Sequence, residues 1–265
     1  MDEEASPSTL QDPKFLKYAK ANGVARVTLN RPPYNVMNIA MLDELAAVLD
    51  LIEIASDVKV VVFSGNDKEF SGGIDLADHS EERSYQLIES FNEVFRRLEK
   101  LEATTISVVK GMALGGGCEL AACCDFAFVA EDAKLGQPEI KVGIFPTIAT
   151  VVFPRLVGRH RALEIILSGE VFSGKEAEQM GLVNRALPLS QVDAEAEKWV
   201  DRLTGLSTPV VQLTRKAVME AHGLPFADAV RRVEEIYLNY LMTTEDAREG
   251  LTAFLEKRKP AWKNR

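Results

Sequence analysis

The residues in this chain best suited to chemistry are a run of glycines and two carboxylates. Gly111-Met112-Ala113-Leu114-Gly115-Gly116-Gly117-Cys118-Glu119 stands between a strand-like segment and a helical one. Consecutive glycines let backbone approach a ligand closely, and a helix starting there offers unpaired N–H groups at its positive dipole end. Such a turn suits an anion or a developing oxyanion. It is not a dinucleotide fingerprint, because the third glycine would fall at Leu120, and no Gly-Lys-Ser/Thr follows to make a P-loop. A second turn, Gly72-Gly73, lies earlier in a similar strand–loop–helix setting. Two such turns on neighbouring strands aim two N–H donors at one oxygen, as acyl and thioester chemistry requires when charge gathers on a carbonyl. Glu119 follows the triple glycine and is flanked by Cys118, Leu120, Ala121 and Ala122. A charge in that setting is costly to bury unless it is paired or functional. Glu139, in Gly136-Gln137-Pro138-Glu139-Ile140, also precedes an apolar residue. Two carboxyls at one concave site can divide general acid and general base work. From the residues alone, plainer readings stay open: a packing turn, a glutamate favouring a helix dipole, and a surface turn residue.

Other candidates are weaker. His79, His160 and His222 lie far apart, without metal-ligand spacing among themselves or with the cysteines. There is no Gly-x-Ser-x-Gly elbow, and Ser71 reads as a turn residue rather than a nucleophile. Cys123-Cys124 adjoin an apolar run and read as small core residues. Lys257-Arg258-Lys259, with Lys263 and Arg265, reads as a solvated tail that can also hold a phosphate.

The elements that must position these residues follow from periodicity. Val24 to Leu29 alternates as a strand and stops at Asn30-Arg31-Pro32-Pro33. Asn38 caps a helix with Leu42, Leu45, Leu49 and Ile52 on one face. A buried-type strand, Val58 to Phe63, precedes the Phe70–Asp75 loop and an amphipathic helix from about Glu82 to Leu101. The order then repeats: strand Thr105–Val109, glycine turn, short helix from Cys118, strand Asp125–Val129, and an extended piece at 133–136. From residue 149 the pattern is nearly all helix, around 149–167, 173–181, 190–205, 208–222, 225–242 and 244–257. No Pro/Gly/Ser-rich linker separates the halves, so the reading is one α/β core with a helical C-terminal extension. Residues 1–17 read as a flexible arm, 18–200 as the core and 201–265 as the helical region.

The chain has 265 residues with a net charge of −9 and 46% hydrophobic residues, an ordinary globular composition. The acidic balance disfavours nucleic-acid binding. No apolar run reaches the ~18 residues of a membrane span. Met1-Asp2-Glu3-Glu4 lacks the layout of a secretion signal or transit peptide. The 3 cysteines, Cys118, Cys123 and Cys124, sit too close together for a disulfide framework. The expectation is a reduced, cytoplasmic protein with neither nucleic-acid nor membrane partners.

Met112–Ala121, Cys124-Asp125 and Gly136-Gln137-Pro138-Glu139 closely resemble the enoyl-CoA hydratase/isomerase (crotonase) family. Asn30-Arg31-Pro32, the Phe70–Asp75 loop, Gly181-Leu182-Val183 and Glu249-Gly250 through Arg258 fit as well, so the resemblance runs from about residue 18 to the end. It implies an α/β spiral of repeated ββα turns, with C-terminal helices that assemble trimers, commonly paired into hexamers. The ligand it implies is an acyl-CoA thioester, with no metal or redox cofactor. The N–H groups of Ile74 and Gly116 would form the oxyanion hole. Gly72, Gly73, Asp75 and Leu76 would lie along the adenine end of CoA, and Phe254 and Lys257, from the same or a neighbouring subunit, would contact the nucleotide. By similarity, Glu119 would activate water and Glu139 would exchange the proton at Cα. Both carboxylates of the hydratase subtype are present, which favours hydration over isomerisation or thioester hydrolysis, and over non-catalytic binding of CoA or RNA. One segment departs from the ordinary pattern. After Gly143 the Gly-Gly stretch of common hydratases is replaced by Ile144-Phe145-Pro146-Thr147-Ile148-Ala149-Thr150. This version is similar to hydratases of cyclic dienoyl-CoA thioesters, as in anaerobic degradation of aromatic acids.

Overall fold

The computed structural model describes residues 13–66 and 68–265. Strand β1 (Leu16–Ala21) and strand β2 (Val24–Leu29) form an antiparallel hairpin around Asn22-Gly23, both at positive φ. The expected arm therefore ends earlier than residue 17. Leu16 is buried, and Glu44 accepts the N–H groups of Lys14 (3.0 Å) and Phe15 (2.8 Å). The earlier part of the arm, residues 1–12, lies outside the described residues. Helix α1 (Ile39–Ile54) starts where Asn38 Oδ1 accepts the Met41 N–H at 3.0 Å, the cap its sequence predicts.

A repeating unit follows. Strand β3 (Val60–Ser64), strand β4 (Glu69–Ser71) and helix α2 (Ser84–Lys100) make its first turn. Strand β5 (Thr104–Val109), strand β6 (Met112–Leu114) and helix α3 (Gly116–Cys123) make the second. Strand β7 (Phe126–Ala130) and strand β8 (Lys134–Gly136) begin the third, which closes with a 3₁₀ turn at Pro138–Val142. Each turn gives its first strand to a six-stranded sheet ordered β1-β2-β3-β5-β7-β10, where β10 is Arg185–Leu187, and its second to a four-stranded sheet, β4-β6-β8-β9, where β9 is Val171–Ser173. Apart from the β1–β2 and β8–β9 pairs, the strands run parallel. That explains the continuous apolar runs of β3, β5 and β7: a parallel sheet is buried on both faces and does not alternate. Two buried polar exceptions, Thr105 and Ser107, are bonded. Ser107 donates to Ala121 O at 2.8 Å, and Thr105 donates to Asp125 Oδ2 at 2.9 Å.

The rear of the chain is not helix alone. Helix α4 (Ala149–Ser168), kinked at Gly158, leads to strand β9 (Val171–Ser173), helix α5 (Gly174–Met180) and strand β10 (Arg185–Leu187). β9 and β10 complete the two sheets, and at 3 residues each they are too short to leave a periodic signal. Helices α6 (Leu189–Thr204), α7 (Thr208–Ala221), α8 (Phe226–Asn239) and α9 (Glu245–Leu255) follow. The basic tail is exposed, as expected, but also anchored. Buried Asp246 accepts the N–H groups of Lys263 (2.7 Å) and Asn264 (3.0 Å), and Arg258 pairs with Glu249. No helix among the described residues is long and apolar enough to cross a membrane.

Candidate active site

The two glycine turns meet because β4 and β6 are parallel neighbours, with Ser71 opposite Ala113. The first turn is shaped by Ser71, whose Oγ donates to Asn35 O (2.8 Å) and accepts the Gly73 N–H (3.1 Å). Asn35, fully buried, holds the end of β4 through its Nδ2, which donates to Phe70 O at 3.0 Å. Met37 N then donates to Gly73 O (2.7 Å) and Asp75 N to Met37 O (2.9 Å). Between them the Ile74 N–H has no protein acceptor among the described residues, and neither has Gly116 N, at the start of α3. The turns sit back to back. A Cβ on Gly73 (φ +99°) would lie 2.8 Å from Leu114 O and 3.6 Å from Gly116 N, and one on Gly117 would lie 2.5 Å from Ser71 O. Glycine at both positions is what permits this approach.

Glu119 rises from α3 into the adjoining cleft and is 1% exposed. Its Oε1 accepts two N–H groups from the start of α4, Ile148 at 2.9 Å and Ala149 at 2.7 Å. The carboxylate so caps a helix whose own cap position, Ile148, supplies no side-chain bond. Burial nevertheless pushes the Glu119 carboxyl up to about 8, with the charge of Glu139 adding to the rise and the two N–H groups opposing it. Glu139, on the 3₁₀ turn, is pushed up to about 7, again by burial. It packs against Gly115, where a Cβ would lie 2.4 Å from Glu139 Oε1. Fully buried Gln137, with its amide nitrogen turned to the carboxylate, donates to Oε2 at 3.1 Å and Oε1 at 3.2 Å.

The cleft encloses about 190 Å³. Its walls are apolar: Leu76, Leu87, Ile88 and Phe91 on one side, and Val142, Ile144, Phe145 and Pro146 on the other. His79, Glu119, Glu139 and Thr147 supply its polar side chains. Of the residues expected from sequence, Gly72, Gly73, Ile74, Leu76, Glu119 and Glu139 line this cleft, and the backbone of Gly116 adjoins it. Asp75 is turned aside, paired with Arg31 at 2.9 Å and accepting the Ala77 N–H. Phe254 and Lys257 are exposed near the end of α9 and do not line the cleft of their own chain. The sequence reading missed Gln137, Gly115 as the seat of Glu139, and the N–H pair of Ile148 and Ala149. Gln137 was legible as a polar residue beside Glu139. The N–H pair was not, because a backbone donor carries no residue signature.

A model of the enoyl-CoA hydratase/isomerase family matches residues 19–265. A protein of Bacillus subtilis described as a probable enoyl-CoA hydratase is 36% identical over 250 residues, covering 91% of this chain and 95% of its own. The crotonyl-CoA hydratase of Syntrophomonas wolfei is 35% identical over 250 residues, covering 91% and 94%. The crystal structure of an enoyl-CoA hydratase from Bacillus anthracis has the same fold, with a TM-score of 0.90 and 30% identity across 95% of this chain and 100% of that one.

Proposed function

The chain belongs to the enoyl-CoA hydratase/isomerase family, and on that premise we propose that it is a hydro-lyase adding water to, or removing it from, an unsaturated acyl-CoA. The observation that carries the proposal is the pair of buried carboxyls, Glu119 and Glu139, in one cleft beside two unpaired N–H groups. In the hydration direction, ionised Glu119 takes a proton from water as the water oxygen bonds to Cβ. The electrons of the double bond move onto the thioester oxygen, which the N–H groups of Ile74 and Gly116 receive. Glu139 then delivers its proton to Cα and the carbonyl re-forms. Each such donor stabilises the enolate by on the order of 3 kcal/mol. Dehydration is the reverse: Glu139 takes the Cα proton and Glu119 protonates the departing hydroxyl. Both directions need the pair to hold one proton. Carboxyls raised to about 8 and about 7 hold one near neutral pH, mainly on Glu119, the state from which dehydration starts. Every proton has a carboxyl to carry it and no electron changes hands, so the proposed reaction requires no metal or redox cofactor.

The apolar wall at Ile144, Phe145 and Pro146, facing Leu87, Ile88 and Phe91, supports a compact hydrocarbon acyl group, and we propose a cyclic dienoyl-CoA. The CoA moiety would extend over Gly72, Gly73, Asp75 and Leu76, with Phe254 and Lys257 contributed through a homotrimer or a hexamer. The test is product mass after incubation with an enoyl-CoA. A gain of one water supports the hydratase. An unchanged mass with a moved double bond would indicate an isomerase, and release of free CoA a thioester hydrolase.

A further inference from the structure

The two N–H groups that hold Glu119 belong to a short turn, residues 146–149, and that turn is tied to the opposite wall of the cleft. Thr147 Oγ1 donates to Asn92 Oδ1 on α2 at 3.2 Å. Asn92 lies one residue from Phe91, and α2 also supplies Leu87 and Ile88 to the cleft. On its other side the turn continues straight into α4. Thr150 N donates to Pro146 O at 3.2 Å and Thr150 Oγ1 to Thr147 O at 2.8 Å, while buried Ala149 and Phe153 pack into the core. Among the described residues, the Thr147–Asn92 bond is the side-chain tie between this turn and α2. Ile148 and Ala149, the next residues, carry the two donors.

We propose that Thr147 is a positioning residue for Glu119: its hydroxyl, bonded to Asn92, fixes the turn whose N–H groups of Ile148 and Ala149 hold the Glu119 carboxylate. This takes from the hydratase reading only its consequence for turnover, since the effect on Glu119 itself needs no substrate. Thr147 lines the cleft, but its hydroxyl is bonded to Asn92 and not to Glu119. It acts through backbone, over a path of adjacent residues.

The physical consequence has a definite sign. N–H donors favour the ionised carboxylate. When the turn is freed, those bonds lengthen and the carboxyl holds its proton to higher pH. Other titratable groups around Glu119 are Glu139 on the 3₁₀ turn, His79 across the cleft, and Cys118 and Cys123 on its own helix. None of them is bonded to Thr147, so a change made there reaches Glu119 through the turn.

The test is direct titration of the Glu119 carboxyl by infrared difference spectroscopy on the intact protein, with E119Q used to identify its band. T147V should raise the titration midpoint by on the order of half a pH unit, the value of part of one hydrogen bond. T147S, which keeps the hydroxyl, should restore the wild-type midpoint. N92A removes the partner instead and should raise the midpoint as T147V does, and the double variant should move it no further, since both delete one interaction. In turnover, the same variants should lower kcat for hydration about threefold with KM unchanged and carry the alkaline limb of the pH profile upward by the same interval. Midpoints unchanged in both T147V and N92A, with melting temperatures showing folded protein, would overturn the positioning role. Shifted midpoints in a protein that hydrates no enoyl-CoA would uphold it and refute the hydratase reading instead.

Discussion

At the scale of single residues, the proposed chemistry rests on two glutamates, Glu119 and Glu139, whose surroundings set when they can act. Replacing either by glutamine should lower kcat by roughly a thousandfold, the range of general acid or base catalysis, while leaving the fold intact. Because activity needs one proton on a pair raised to about 8 and about 7, kcat against pH should be a bell with its maximum near pH 7 to 8. A monotonic profile would contradict that arrangement. Folding feels the same groups. With Glu119 raised from 4.5 to about 8, its contribution is fully present below the unfolded value and is lost as pH climbs through the folded one. E119Q removes that loss, so at pH 9 it should be more stable than the unsubstituted protein by on the order of 4 kcal/mol, and at pH 4 nearly equal. Urea unfolding at both pH values measures the difference. Glu119 was legible in sequence because a charge among Cys118, Leu120 and Ala121 asks for an explanation. Which oxygen its backbone donors bind was not legible, since Ile148 and Ala149 meet it only after α4 folds against α3.

At the scale of elements, the site is made by two parallel strands that each lead into a glycine turn. A methyl group on Gly117 would meet Ser71 O at 2.5 Å, a backbone atom that cannot move aside alone. G117A should therefore pry the two turns apart and cost kcat about a hundredfold or more, the value of a lost oxyanion donor, with smaller effects on KM. If G117A kept full activity, the turns would not form the oxyanion site. A second element-level tie holds the helical region to the core. Arg215 on α7 donates to Asp125 Oδ1 (2.9 Å) and Oδ2 (2.8 Å) and to Leu101 O (2.7 Å) just after α2. Asp125 also accepts the Thr105 N–H at 2.7 Å. Removing one partner of a nearly buried ion pair leaves the other uncompensated, so R215A should destabilise the protein by roughly 3 kcal/mol in urea unfolding. The glycine turns and the strand–turn–helix repeat were readable from spacing and apolar runs. Strands β9 and β10 escaped notice because their order is imposed by the sheets they join, β8 and β7, rather than by their own pattern.

At the scale of the whole molecule, the C-terminal helices keep large apolar side chains in water. Phe226 is 85% exposed, Phe254 81% and Leu255 79%. Large apolar side chains left in water on these helices support the proposed assembly. Sedimentation velocity should give a trimer or a multiple of it, and F254A should weaken CoA binding if a neighbouring subunit supplies that ring. A strictly monomeric protein would contradict the assembly. The repeated ββα turn was visible as a repeat of motif order, but the way its strands divide between two sheets was not, since that division rests on pairings between distant segments.

The reaction itself is tested most directly by product mass. Purified protein should be incubated separately with a cyclic dienoyl-CoA and with crotonyl-CoA. The cyclic substrate should gain one water at a higher rate than crotonyl-CoA does, and E119Q and E139Q should each slow that gain roughly a thousandfold. No gain of water on either thioester would contradict the hydratase reading.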